Sequence, residues 1–256
     1  MKIFRKIRFQ ELTKSNFGKY IVYAIGEIIL VVIGILIALY VNNKKEEADQ
    51  LKLQRNHLVL IKEELENNLI ILDKENKELH NIVTNIKDLV NLKNSDQPLD
   101  QVTEVHLSEL LFLPLTRSIE IDYENGAFNN FVTSGNLEDI KNDSIKTILR
   151  SWNRKIETVK LQEYAVNEAF DKAVNFVNTN GSLKTVLDKI GLSKAYLEVN
   201  DNSEPYSNKF LLRSRQFENI LIQYLGVATQ LLRKNYLTFK SDIELLIRLI
   251  DVELIQ

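Results

Sequence analysis

Residues 21–41 read IVYAIGEIILVVIGILIALYV, an apolar run broken by one ionisable side chain, Glu27. As a helix this run covers about 31 Å, close to the ~30 Å hydrocarbon core of a bilayer. Buried helices of soluble proteins rarely carry apolar runs beyond about 14 residues, so a core helix is the poorer reading. Phe17, Tyr20 and Tyr23 stand near one end and Tyr40 near the other, where rings suit the two membrane interfaces. A cleavable signal peptide would be shorter and end in small residues, and Tyr40-Val41-Asn42-Asn43 offers no such site. Residues 20–41 are therefore expected to be an uncleaved transmembrane signal anchor.

Charge sets the expected orientation. Lys2, Arg5, Lys6, Arg8, Lys14 and Lys19 precede the span against Glu11 alone. Lys44, Lys45, Lys52 and Arg55 follow it, offset by Glu46, Glu47 and Asp49. The positive-inside rule then places residues 1–19 as a basic cytoplasmic tail. The remainder falls outside the cytoplasm, in the periplasm if the membrane is a bacterial inner membrane. Ile3, Phe4 and Ile7 share a helical face ringed by basic residues, which suits an anionic leaflet, although topogenic charge alone explains the cluster.

An ionised carboxylate at mid-bilayer costs about 2.5–3.5 kcal/mol on insertion scales. Glu27 is thus expected to carry a proton or to bond to a partner. Gly34 and Ala38 follow on roughly the same face, in a small-xxx-small pattern that permits close helix approach. Glu27, Gly34 and Ala38 are the candidate seam for a homo-oligomer formed through the membrane helix. A lone acid reaching toward the headgroups beside incidental small residues is the alternative.

Beyond the span, the absence of Pro and Gly from residue 43 to 94 predicts one long helix, about 78 Å at ideal rise. Leu51, Leu58, Leu65, Leu72, Leu79 and Ile86 recur at sevens, with Ile61, Leu69, Ile82, Val83, Leu89 and Val90 as companions. Residues 42–95 could continue the membrane helix as a parallel coiled coil or form the first arm of a bundle. Gln54, Asn68, Glu75 and Asn76 at inner positions weaken a coiled-coil seam. That favours a bundle arm for the later half, with a stalk before it.

Residues 96–256 are expected to complete an antiparallel helical bundle. Asn94-Ser95-Asp96-Gln97-Pro98 reads as a loop, and an apolar-periodic stretch from Val102 ends at Pro114. Asp122 is expected to cap a helix through Phe131 and Val132, closed by Gly135. Asn142, with Asp143 behind it, is expected to cap a helix running to Val177 and stopped by Gly181. A short helix over 182–190 ends at Gly191. Residues 200–205 are a loop. Phe210, Phe217, Tyr224 and Leu231 then repeat at sevens into Tyr236, Ile243, Leu246, Ile247, Ile250 and Leu254, as one helix or two with a bend near 236–241. Only Ser118 to Tyr123 could be a strand. The fold class is all-α: a transmembrane helix, a long heptad-bearing helix and an antiparallel bundle.

The stretch from Tyr23 through Ala24-Ile25-Gly26-Glu27 to Gly34 and Leu39, followed by Asn42-Asn43, resembles the signature of a bacterial single-span family, domain of unknown function 6090, common in Bacteroidota. Phe131 to Leu149, with Ser134-Gly135-Asn136-Leu137 and Ile140-x-Asn142, is a second and looser similarity. Tyr40 stands where that signature has Gln, and Lys44 where it has Trp. The resemblance implies an inner-membrane anchor and a helical domain, and implies no activity.

Chemistry leaves little trace. The chain has no Cys, which excludes disulfides, thiolate nucleophiles and Cys-ligated metal. His57, His80 and His106 lack ligand spacing. No G-x-S-x-G, P-loop or G-x-G-x-x-G occurs, so no cofactor is expected. Glu63-Glu64 and Glu120/Asp122 read as surface carboxylates, Arg150, Arg154 and Lys155 as a solvated face, and Trp152 with Tyr164 and Phe170 as core. Acidic residues outnumber basic ones beyond the span, so no nucleic-acid footprint is present. The expected partners are the lipid bilayer, a second copy and an unknown protein. The expected function is a membrane-anchored interaction, scaffold or sensor-like module without enzyme activity. A self-associating structural envelope protein and an enzyme with an unrecognised site are the alternatives.

Overall fold

The computed structural model describes residues 16–93, 101–134, 137, 140–204 and 206–255. The chain divides into two compact units, Met1–Asn56 and His57–Gln256. Helix α1 (Asn16–Lys93) belongs to both. The described residues are almost wholly helical, and no strand occurs among them.

In the first unit every described side chain from residue 20 to 53 is exposed, apolar ones included. Leu30, for instance, is 73% exposed. The apolar window of this helix is long enough to cross a membrane, and none of it is buried. A helix that is apolar all round satisfies its backbone internally but has no aqueous face, which suits hydrocarbon. Leu51, the first of the heptad leucines, is among the exposed residues.

In the second unit the heptad faces inward. Leu58, Ile61, Leu65, Leu72, Leu79, Ile82, Ile86 and Leu89 are all buried. Three further helices complete the long arms: α5 (Trp152–Asn180), α8 (Arg215–Gln230) and α9 (Tyr236–Ile255). Between them lie α2 (Glu104–Thr116), α3 (Gly126–Thr133), α4 (Asp143–Arg150), α6 (Leu183–Lys189) and α7 (Leu192–Ala195). Phe176 stacks on Phe217 and Trp152 on Phe239, so α5 runs antiparallel to α8–α9. Lys93 pairs with Glu218, Lys240 with Asp73 at 2.6 Å and Lys62 with Asp251 at 2.6 Å, so α1 is antiparallel to the same arm.

Several helix ends follow their sequence cues. The Asn142 side chain accepts the N–H groups of Ser144 and Ile145, with Asp143 in the first turn of α4. Gly181 closes α5; a Cβ there would meet Asn208 Oδ1 at 2.9 Å. Gly191 follows α6 with φ +79°, the left-handed conformation glycine adopts freely. Gly135 lies outside the described residues.

Other expectations need correction. Pro114 does not end α2 but sits inside it, three residues before Arg117, whose N–H bonds the Leu113 carbonyl. So close to the C-terminus the ring forfeits a single helical hydrogen bond. Asp122 caps nothing; α3 starts at Gly126, behind Asn125. The helix after Asn142 breaks at Ser151, so α4 and α5 are separate. Phe210 is exposed and lies in a 3-10 turn, Lys209–Arg213, against Tyr206. The late helix widens into a π turn at Leu231–Asn235, just before the expected bend. Tyr164 is exposed, and Glu163 takes the inward position instead.

Candidate functional site

Residues 117–125 join α2 to α3 without forming a helix. Ile119, Ile121 and Tyr123 are buried, while Ser118, Glu120 and Asp122 are exposed. This is the alternation of a strand, but no neighbouring strand exists to receive its backbone groups. Side chains from two helices take that part. Asn167 on α5 donates to the Ile119 carbonyl at 2.8 Å and accepts its N–H at 2.9 Å. Asn68 on α1 donates to the Glu124 carbonyl at 2.7 Å and accepts its N–H at 2.8 Å. Glu64, one turn before Asn68, accepts the Ala127 N–H at 2.6 Å and the Phe128 N–H at 3.4 Å. Those are orphan donors of the first turn of α3, so a residue some sixty positions away serves as its cap and the local Asp122 is not needed.

At the centre of this strap is Glu163, 4% exposed. Its Oε1 accepts the Tyr236 hydroxyl at 2.9 Å and the Tyr123 hydroxyl at 3.2 Å. Burial pushes its carboxyl above the usual range, against the pull of Tyr236, the Ile121 N–H, Tyr123 and the charge of Lys160. The same burial, with the Glu163 charge beside them, pushes both tyrosine hydroxyls far up, so they remain donors. Glu75 on α1 acts on both tyrosines as well. Arg117 at the start of the strap donates to Glu75 at 2.8 Å. Burial nonetheless raises the Glu75 carboxyl, with the Arg117 charge opposing. Burial likewise raises Glu64, against the two N–H groups it accepts. Three carboxyls from two helices thus fasten one extended segment, each at a desolvation cost.

The residues singled out from sequence lie elsewhere. Glu27, Gly34 and Ala38 are exposed on α1 in the first unit. Their spacing puts them within about 40° of one another around the helix axis. A Cβ on Gly34 would meet nothing within 4 Å, so that face is open to approach. Glu27 also lines a shallow depression with Ala24, Ile28, Val31 and Val32. His57 rests against the Phe131 ring, with centroids 5.4 Å apart, and His80 and His106 are exposed. Lys155 is engaged by Asp242 at 2.5 Å. Among the described residues no group of three or more metal-ligating side chains converges.

Sequence reading passed over Glu163, Asn167 and the role of Asn68. A signal was available. The inward residues of α5 are Trp152, Ile156, Val159, Glu163, Val166, Ala169, Ala173 and Val177, a strict alternation of steps of three and four that admits Glu163 and excludes Tyr164.

These features define a class: an all-helical protein with one helix long and apolar enough to span a membrane and a separate bundle. More narrowly, the chain belongs to the family of unknown function DUF6090, whose model matches residues 27–206, well over half its length. Comparisons with curated proteins and with solved structures return no match.

Proposed function

We propose that this protein is a single-span anchor of the bacterial inner membrane that displays a helical interaction module on the periplasmic side, with residues 1–19 in the cytoplasm. The observation that carries the reading is the wholly exposed apolar window of α1, preceded by six basic residues within the first nineteen. A surface of that kind has the bilayer as its natural partner. The bundle then serves as a scaffold or sensor-like module for another protein.

The absence of Cys makes the test direct. Ser203→Cys lies on an exposed loop and introduces the sole thiol. A membrane-impermeant maleimide should label it in intact spheroplasts; labelling only after lysis would reverse the orientation. Recovery of the chain in the aqueous phase without detergent would remove the anchor altogether. Crosslinking in living cells followed by identification of the captured chains should return a chain of different mass.

A second reading, self-association, has its own support in Glu27, Gly34 and Ala38 on one open face. Glu27→Gln should preserve dimers in a bilayer association assay, and Glu27→Leu should weaken them. Equal dimer fractions for all three side chains would exclude Glu27 from the seam.

A further inference from the structure

Glu163 bridges three elements: α5, which carries it; the strap, through Tyr123 and the Ile121 N–H; and α9, through Tyr236. Among the described residues no lysine or arginine forms an ion pair with it, and Lys160 acts only from along α5. Its ionised form is therefore held by two hydroxyls and one amide in a site sealed from water. Across the strap, Glu75 supplies a second negative charge that acts on the same two tyrosines, and Arg117 answers Glu75 rather than Glu163.

We propose that the Glu163–Tyr123–Tyr236 cluster is a proton-responsive latch: proton uptake by the Glu163 carboxyl tightens the grip of α5 and α9 on residues 117–125, so the bundle gains stability as its surroundings acidify. The cluster is well placed for this. Both tyrosines stay protonated at ordinary pH, so the carboxyls of Glu163 and Glu75 are the groups in it that titrate. A neutral Glu163 keeps a carbonyl oxygen to accept a tyrosine hydroxyl and sheds the cost of a buried charge.

The sign follows from linkage. A carboxyl whose folded value is raised binds its proton more readily in the native than in the unfolded chain. Its favourable contribution is fully present below the ordinary glutamate value of about 4.3 and is lost as pH rises through the raised value. Glu64 and Glu75 are raised in the same direction and add to the slope. The inference concerns the bundle interior and stands whichever side of a membrane the bundle occupies.

The test is thermal unfolding of the full chain in detergent micelles across about pH 4.5–8, followed by circular dichroism, alongside infrared spectra of the carboxyl region. The wild type should gain about 3 °C or more in Tm on moving from the alkaline to the acid end before surface pairs begin to fail. Glu163→Gln should lose most of that gain. It should also lack a neutral-carboxyl infrared band that the wild type shows above the usual range. Tyr236→Phe removes a donor to the ionised form and should move that band to higher pH, which decides the matter if Glu163→Gln does not fold. An acid gain equal in wild type and Glu163→Gln, or a Glu163 band that appears only at ordinary glutamate pH and does not move in Tyr236→Phe, would overturn the latch.

Discussion

Two carboxyl groups in this protein sit among apolar side chains, and they meet different surroundings. Glu27 lies on an exposed helix face flanked by Ile25 and Ile28, with no element of its unit laid over it. Glu163 is enclosed by donors from its own helix bundle. A folded unit that must keep an acid out of water can build the acceptor's partners into itself. A lone helix cannot, and depends on lipid, a proton or a second chain. The difference separates a surface made for a foreign medium from one that supplies its own polar contacts.

The comparison is broken most forcefully by a change that should act on one unit alone. Val32→Arg with Ile33→Arg, near the middle of the apolar window, costs about 2.5–3.5 kcal/mol for each residue in hydrocarbon. The double variant should leave the membrane pellet on alkaline extraction while its bundle keeps the helical melting transition. Trp152→Ala should do the reverse. Trp152 is 1% exposed and packs on Phe239, so its loss should cost about 3–5 kcal/mol and lower Tm without altering membrane retention. A shared outcome for these two variants would show that the units are not independent.

Smaller effects sharpen the account of the strap. Asn68→Ala removes two hydrogen bonds to Glu124 and should destabilise the bundle by about 2 kcal/mol, at about 1 kcal/mol per bond, read from denaturant midpoints. Its spectrum should change least where α5 meets α8, which Asn68 does not touch. Asp188 supplies an opposite pH dependence. Burial opposes its ionisation, but Lys184, the Ser193 hydroxyl and the Asn202 N–H outweigh that and hold it at about 2. Its contribution is present above the ordinary aspartate value and is lost as pH falls toward 2, so Asp188→Asn should flatten only the most acid limb of the melting profile. Lys240→Ala, which breaks a partly exposed pair with Asp73, should cost less than about 1 kcal/mol in the same melts.

How far the sequence discloses the molecule depends on contrast. Residues 20–41 stand out because nothing polar but Glu27 interrupts them. The inward face of α1 is legible because leucine marks it at each heptad, and Asn142 and Gly191 because their local geometry answers to their own chemistry. Glu163 is hidden for the opposite reason: α5 carries several acids, and only the spacing of its neighbours shows which one turns inward. The start of α3 was illegible locally because its cap is Glu64, supplied by another helix. Ser118 to Tyr123 shows strand alternation without a strand, since Asn68 and Asn167 substitute for a paired backbone. Pattern reports which side of an element is buried; it does not report what the element is buried against.

The π turn at Leu231–Asn235 carries a consequence for how such a chain can change in length. Inward residues of the C-terminal arm advance by threes and fours from Phe217 to Leu231 and again from Tyr236 to Ile250, yet five positions separate Leu231 from Tyr236. The wide turn absorbs a surplus residue that would otherwise swing everything after it around the axis by about 100°. Deleting Asn235 alone should therefore leave a regular helix whose second half presents the wrong side, with Tyr236 carried away from Glu163. A one-letter difference in this arm is harmless or ruinous according to whether the wide turn is there to take it up.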